Sequence, residues 1–206
     1  MFDHVAINTD FKRVERELVE AYRNIAPATL GHLHNIRFMD PGIRPVQDEV
    51  VLVGPAFTVR THGMDSSATR LVEKYAQPGD VIVVDRGGDY RHAVIGEFRA
   101  LKLKSLGYAG WIVDGAATDI VELKKIGFPV YSRTISALVA KPIAVEGSVG
   151  FPIKCGDVVV NSGDLIVADA NGVAVLSEAE ARQHLAHGQA VAEREVKMRR
   201  EYGVDY

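Results

Sequence analysis

Two residue pairs in the middle of the chain carry side chains that could hold a metal ion. Gly96-Glu97 stands at the head of a helix-like stretch, and Thr118-Asp119 follows a strand-like one, with the twenty residues 98–117 between them. Carboxylates at the carboxyl ends of parallel strands occupy the crevice in which open α/β sheets bind ligands. Asp119 is therefore a candidate ligand, and the residues alone leave open whether Glu97 belongs to the same metal site. The structural alternatives are a solvated helix glutamate and a helix N-cap.

A glycine turn is the second candidate. Gly87, Gly88 and Asp89 follow the apolar run "VIVVD" and precede a stretch whose pattern predicts a helix. Backbone N–H groups at a helix N-terminus bind small anions, so this turn could hold one. An ordinary tight turn that needs positive φ is the alternative. The segment lacks the G-x-G-x-x-G pattern of dinucleotide-binding turns.

The histidines and the cysteine do not predict a site. His32 and His34 have no acidic residues nearby in sequence, and His184 with His187 forms a pair on a polar helix without a third ligand. Cys155, within an apolar strand-like segment, is predicted to be a buried small hydrophobe. The sequence contains neither G-x-S-x-G nor a P-loop.

The elements that would position these residues are those of an α/β fold. Helical patterns occur at the N-terminus, and two strand–turn–helix units follow, which predict a central, mostly parallel sheet with flanking helices, covered on both faces. Residues 143–177 carry short strands and frequent turns, which predict an antiparallel β module. Ser177 and Glu180 have capping-box spacing and predict a long C-terminal helix.

Composition limits the classes of function. The chain has 206 residues, enough for the single domain that we expect over residues 1–206. Charged residues make up 25% of the chain and the net charge is −3, so a nucleic-acid partner is not expected. No apolar run approaches the roughly 20 residues of a membrane helix. A polar segment follows Met1 in place of a secretion signal, so we expect a cytoplasmic protein without a membrane partner.

Five segments together resemble one known family. They are "VGPAFTV", "PGDVIVVDRGGD", the Gly96-Glu97 pair, "GWIVDGAATD" and "SGDLIVADANGVAVL". The family includes the divalent-metal-dependent 4-hydroxy-4-methyl-2-oxoglutarate aldolases, the oxaloacetate decarboxylases and the RraA regulators of ribonuclease E. The resemblance covers roughly residues 25–205 and implies the RraA-like fold.

The family's signature is Gly-Glu or Gly-Asp, twenty residues, and then Arg-Asp. In this chain the closing pair is Thr118-Asp119, so the aspartate is present and the arginine is replaced. By resemblance, Asp119 would hold Mg²⁺ or Mn²⁺ largely through waters, and Glu97 would belong to the network around the metal. The turn of Gly87, Gly88 and Asp89 would bind the carboxylate of the substrate.

The resemblance implies a lyase of the class II aldolase or decarboxylase type that acts on a small 2-oxo diacid. Such an enzyme breaks the C–C bond by retro-aldol cleavage or loss of CO₂ and leaves a pyruvate enolate, which a divalent cation stabilises as a Lewis acid. Threonine offers one neutral hydroxyl where arginine offers a charged fork of donors. Arg86 and, as the better candidate, Arg91 could replace the missing guanidinium; a solvent-facing side chain is the alternative for Arg91.

A second hypothesis is a non-catalytic regulator that keeps the fold and binds a protein partner. The regulators are recognised by lack of the metal-binding aspartate, so the presence of Asp119 favours the metal-dependent enzyme. The resemblance also implies a homotrimer, often paired into a hexamer, in which Glu193 or Glu195 of a neighbouring subunit reaches the waters around the metal.

Overall fold

The structure, a computed structural model, describes residues 4–204. The predicted domain of residues 1–206 also includes residues 1–3 and 205–206, which lie outside the described part. The strands within residues 4–204 are β1 (Val5–Ile7), β2 (Arg37–Phe38), β3 (Arg44–Pro45), β4 (Leu52–Thr61), β5 (Val81–Asp85), β6 (Ala93–Ile95), β7 (Gly110–Ala117), β8 (Val130–Ile135), β9 (Gly147–Val149), β10 (Ile153–Cys155), β11 (Val158–Val160), β12 (Leu165–Asp169) and β13 (Gly172–Leu176). The helices are α1 (Arg16–Tyr22), α2 (Pro27–Leu30), α3 (Val72–Tyr75), α4 (Glu97–Ser105), α5 (Ile120–Ile126) and α6 (Glu178–Glu201), with a 3₁₀ turn at Ala68–Leu71.

The centre of the fold is a run of four parallel strands in the order β4-β5-β7-β8. Val81 of β5 lies opposite Ala56 on one side and Gly110 on the other. All five residues of β5 are buried, which explains its near-continuous Val/Ile composition. The mostly parallel central sheet is therefore confirmed.

Both faces of the sheet are covered, but helices cover only one of them. Alternate residues of β5 divide between two cores: Ile82 packs with side chains of α3, α4 and α5, whereas Val83 packs with Cys155 and other residues of β10 and β11. Each crossover from β4 to β5, β7 and β8 moves one strand in the same direction. Because such crossovers are right-handed, the intervening helices all lie on the same face.

The predicted antiparallel module is not a separate unit. Strand β12 pairs antiparallel with residues 52–55 of β4, β13 pairs with β12, and β9 pairs with residues 59–61 of β4. Only β10 and β11 form a small sheet of their own among the described residues. Strand β4 has ten residues, longer than any of its neighbours, so its outer edge is shared between β12 and β9.

A short strand interrupts the segment after the glycine turn, where the pattern predicted continuous helix. Ala93–Ile95 forms β6, and α4 begins only at Glu97. Strand β7 extends beyond the end of β5, and β6 pairs with this free edge at Ala116 and Ala117. The prediction that Gly87-Gly88 stands at a helix N-terminus was therefore wrong.

The two ends of the described chain pack together. The predicted capping box at the start of α6 is present: the Glu180 N–H donates to the Ser177 hydroxyl at 3.3 Å, and the Ser177 N–H donates to Glu180 Oε2 at 2.6 Å. The Tyr22 hydroxyl of α1 donates to the Ala181 carbonyl at 2.7 Å. Within residues 4–204, no helix has the length and apolar character needed to cross a membrane.

Candidate active site

The two residue pairs that are twenty positions apart in sequence form one corner of the structure. The Glu97 N–H, the first of α4, donates to Asp119 Oδ2 at 2.9 Å. A Cβ on Gly96 would lie 2.7 Å from Thr118 Cγ2 and would collide with the Asp119 carboxylate. Gly96 is therefore a glycine because the second pair packs directly against its Cα.

Thr118 and Asp119 form the two-residue link between β7 and α5. Asp119 occupies the N-cap position of α5 with φ 55° and ψ 42°, in the left-handed region, and its side chain makes no capping bond to that helix. Its carboxylate caps α4 instead, and the Thr118 hydroxyl donates to Asp119 Oδ1 at 3.2 Å. The predicted N-cap position is confirmed, but the side chain serves the neighbouring helix and stays exposed to solvent.

This corner lies in the wall of a cavity of about 260 Å³. The lining residues are Ser66, Thr69, Arg70, Ala93, Val94, Ile95, Gly96, Phe98, Arg99, Thr118, Asp119, Val139 and Ala140. Two arginines and one carboxylate are the charged members of this set. The cavity therefore carries an excess of positive charge before any cation binds.

Arg99 is bonded to other residues of the protein and helps to form the cavity wall. Its Nη2 donates to the Thr69 carbonyl, and its guanidinium carbon lies 5.4 Å from the centroid of the Trp111 ring. Burial lowers its pKa, Glu73 opposes that effect, and the positive charge of Arg70 adds to it. The Arg99 Nε is buried without a hydrogen-bond partner among the described residues.

Arg70, at the 3₁₀ turn, lines the same cavity with an exposed side chain. Sequence reasoning did not single out Arg70 or Arg99. The segment "SSATRL" before α3 contains no motif, and Arg70 lines the cavity of Asp119 only through the tertiary packing of the 3₁₀ turn, which contacts β4 and β9.

The glycine turn bonds mainly to itself. Gly87 and Gly88 have φ of 60° and 85°, and the Gly87 N–H donates to Asp85 Oδ1 at 2.7 Å. The Asp89 carboxylate accepts from the Arg91 N–H at 2.8 Å, and His92 Nδ1 lies 2.7 Å from its other oxygen. Neither the two glycines nor Asp89 lines the cavity of Asp119. Their assignment to the substrate carboxylate remains a prediction.

Arg86 and Arg91, which were expected to replace the signature arginine, lie outside the cavity of Asp119. Arg86 is fully buried and donates to the Asp65 carbonyl at 2.8 Å, to the Gly63 carbonyl and to Asp89 Oδ2 at 3.2 Å. Burial lowers its pKa, and Asp89 opposes that effect. Arg91 has an exposed side chain. Neither residue lines the cavity, so a part for either in substrate binding remains a prediction.

The other predicted carboxylates have different settings. Glu97 is half-buried at the first position of α4, and its side chain forms no ion pair with a described residue. Glu193 and Glu195 lie in α6, which packs on α1, α2 and β13. Within one chain they do not line the cavity, so a role from a neighbouring subunit remains a prediction.

Residues 4–204 contain no cluster of three or more His, Cys, Asp or Glu side chains that could hold a metal ion. The chemistry of Asp119 nevertheless suits Mg²⁺, which keeps several waters and needs only one or two carboxylates. Each of its oxygens has one described donor and a free lone pair, and the side chain faces solvent. Cys155 is buried, as predicted, and burial raises the pKa of its thiol.

Comparisons with known proteins agree on one family. The family model described as RraA-like, Aldolase/RraA, matches residues 18–175. A Halalkalibacterium halodurans protein named "putative 4-hydroxy-4-methyl-2-oxoglutarate aldolase" is 35% identical over 169 residues, which cover 82% of this chain and 80% of that protein.

Solved structures share the fold over nearly the whole chain. Streptomyces coelicolor RraAS2, described as an unusual member of the RNase ES inhibitor RraA protein family, superposes with a TM-score of 0.79 at 26% identity. The match covers 92% of this chain and 100% of that one. A Pseudomonas syringae protein superposes with the same TM-score over 95% of this chain and 93% of its own, and at 23% identity it supports the fold alone.

Proposed function

Because the chain belongs to the RraA-like family, we propose that it is a divalent-metal-dependent lyase that cleaves a C–C bond of a small 2-oxo diacid. The observation that carries the proposal is the corner at which the Glu97 N–H meets the Asp119 carboxylate, 2.9 Å apart, beside a cavity with two arginines. The name of the 35% identical relative supports the reaction class. We expect retro-aldol cleavage of a 4-hydroxy-2-oxo diacid, decarboxylation of oxaloacetate, or both.

Asp119 and Glu97 are the residues that would hold Mg²⁺ or Mn²⁺. When bound, such a cation polarises the 2-oxo group and stabilises negative charge that develops on its oxygen, an effect worth several kcal/mol. Asp119 is fixed for this task because it lies in the two-residue link between β7 and α5 and its carboxylate is held by two donors. Thr118 orients the carboxylate through its hydroxyl.

The reaction requires proton transfer as well as charge stabilisation. Breaking the C–C bond leaves its electron pair on the pyruvate fragment as an enolate, and a proton must reach that carbon to give pyruvate. We assign this exchange to the half-buried Glu97 carboxylate acting through a water molecule. In the retro-aldol direction the same group removes the proton of the 4-hydroxyl.

We also propose that a second copy of the chain covers the cavity, as a trimer or hexamer. Phe98 and Val139 line it with 79% and 52% of their surfaces exposed, and Val121 on α5 is 59% exposed. Apolar side chains grouped around a polar cleft are typical of a protein interface. In such an assembly the partner subunit's Glu193 or Glu195 would approach the waters near Asp119. Light scattering should find an oligomer in the parent and smaller species for Phe98→Glu.

The activity is tested by measuring pyruvate release from oxaloacetate and from 4-hydroxy-4-methyl-2-oxoglutarate with Mg²⁺ or Mn²⁺, after subtraction of the rate with metal alone. Asp119→Asn should abolish release and Mn²⁺ binding measured by calorimetry. Asp157→Asn is the matched control, because Asp157 also has positive φ and an exposed side chain but lies in the turn between β10 and β11.

Two results would contradict the proposal in different ways. Binding of Mn²⁺ through Asp119 without pyruvate from either substrate would exclude this substrate class. No Mn²⁺ binding by the parent protein would exclude a metal-dependent enzyme and favour the non-catalytic regulator that binds a protein partner.

A further inference from the structure

The cavity beside Asp119 has a cationic side chain that no other residue in the described part of the chain pairs with. Arg70 contributes an exposed guanidinium to its wall, and within residues 4–204 that side chain makes no hydrogen bond or ion pair. Other exposed arginines have acidic partners, as Arg182 has in Glu15 and Glu178, and Arg23 in Glu20. A guanidinium without a partner inside a ligand-sized cleft is available to an anion.

The backbone that carries Arg70 is firmly held although the side chain is free. The Arg70 N–H donates to the Ser67 carbonyl at 3.1 Å. The Ser67 N–H and hydroxyl both donate to the buried Asp65 carboxylate, at 2.8 and 2.6 Å. Asp65 also accepts from the Val145 N–H at 2.8 Å, which ties the 3₁₀ turn to the segment beyond the cavity wall. Because the backbone is already ordered, binding of a ligand costs only the rotamer entropy of the Arg70 side chain itself.

Arg99 is the neighbouring cation, and its own contacts exclude it from the same task. Its Nη2 donates to the Thr69 carbonyl, its guanidinium carbon lies over the Trp111 ring, and its Nη1 lies 3.9 Å from Glu73. It contributes positive charge to the cavity, but its Nη2 is already bonded and its unpaired Nε is buried, so it does not present an exposed fork of donors. Arg99 therefore stabilises the cavity wall, whereas Arg70 is available to a ligand.

We propose that Arg70 binds a carboxylate group of the substrate and supplies, from another part of the same cavity wall, the guanidinium that the family signature carries at position 118. The reaction itself rests on the proposed function, but anion binding by Arg70 does not. The proposal differs from the expectation for Arg86 and Arg91, since Arg86 is fully buried on other partners and neither lines this cavity.

The test is calorimetric titration with oxalate, a stable dianion, at saturating Mn²⁺ and again without metal. Arg70→Ala should lower oxalate affinity by about 10- to 100-fold, the range expected for loss of a charge-assisted hydrogen bond. Arg70→Lys should lose less, because it keeps the charge. Arg16→Ala, which removes an exposed arginine from α1 outside this cavity, should bind as the parent does.

A compensating variant separates ligand binding from a structural effect. Arg70→Ala combined with Thr118→Arg should recover most of the lost affinity, because the guanidinium returns to the same cavity from the signature position. Unchanged oxalate binding in Arg70→Ala, no oxalate binding by the parent, or no recovery by the double variant in the titration without metal would each overturn the proposal. The titration without metal is the decisive one for the double variant, because Thr118 also contacts Asp119.

Pyruvate assays on the same proteins distinguish the two proposals. If the parent releases no pyruvate but binds oxalate through Arg70, the proposed reaction fails and the anion site stands. If the parent releases pyruvate and Arg70→Ala does so with the same KM, the assignment of Arg70 fails and the reaction stands.

Discussion

Two aspartates follow neighbouring parallel strands and show how differently one side chain is used in this fold. Asp89, after β5, accepts from the N–H groups of Arg91 and His92 and also contacts the His92 ring and the Arg86 guanidinium. Asp119, after β7, has two donors and is exposed. A saturated carboxylate holds a loop, whereas an exposed carboxylate with free lone pairs is available to a cation.

Substitution of Asp89, the carboxylate with the larger number of donors, should have the largest effect on stability. Asp89→Asn removes the counter-charge of Arg86, which is fully buried, and should lower the free energy of unfolding by about 3 kcal/mol. Asp119→Asn should cost about 1 kcal/mol, the value of a capping bond. Urea denaturation of both variants measures the difference, and equal losses would contradict the contrast.

The glycines beside the two carboxylates should differ for a steric reason. Gly96→Ala places a methyl group against Asp119 and Thr118 and should lower stability by about 1–3 kcal/mol, together with Mn²⁺ affinity. At Gly88 a Cβ would meet nothing within 4 Å. Gly88→Ala should therefore lower stability only by the strain of positive φ, about 1 kcal/mol, and should leave the Mn²⁺ affinity unchanged. Thermal unfolding and calorimetry check both expectations. Loss of metal affinity in Gly88→Ala would show that the glycine turn belongs to the metal site.

The left-handed conformation of Asp119 gives a third, smaller contrast. Asp119→Val should be about 1–2 kcal/mol less stable than Asp119→Gly, because a β-branched residue is strained at φ 55°. Denaturation midpoints of the two variants provide the measurement. A stable valine variant would mean that the turn between β7 and α5 can adopt another backbone conformation.

The smallest effect concerns acid stability. Burial would raise the pKa of Asp89, but hydrogen bonds from Arg91 and His92 and the charge of Arg86 outweigh it, so the pKa lies below its ordinary value of 3.8. The ionised carboxylate therefore stabilises the fold above about pH 4, and this contribution is lost as the pH falls through the lowered folded value. Asp89→Asn should show a shallower loss of stability between about pH 4 and about pH 2 than the parent. Identical slopes would assign the acid sensitivity to other groups, such as Asp65, whose pKa is also lowered.

The strands of this corner could be predicted from the sequence, because the pattern of β5 and β7 is a local feature, whereas the pairing of Glu97 with Asp119 was predicted from the family's twenty-residue spacing. Buried parallel strands have near-continuous Val/Ile composition, and strand ends place their following residues at one edge. In the structure the two pairs do meet, since the Glu97 N–H donates to the Asp119 carboxylate.

What the sequence could not supply depends on tertiary pairing. Strand β6 has only three residues, too few for their pattern to be distinguished from that of a helix. It forms because β7 extends past the end of β5 and leaves a free edge. The placement of all the crossover helices on one face follows from strand order, which periodicity does not contain. Arg70 reaches the cavity through the packing of a 3₁₀ turn, and no spacing rule connects it to Asp119.

The bond between the Glu97 amide and the Asp119 carboxylate joins the start of α4 to whatever the carboxylate binds. A ligand that draws electron density from Asp119 Oδ2 weakens that bond, and one that orders the side chain strengthens it. In either case the chemical shift and the hydrogen-exchange rate of this single amide should change with occupancy. The NMR signal of the Glu97 amide should therefore report the fraction of protein with a bound cation, and the measurement needs neither a substrate nor a chromophore.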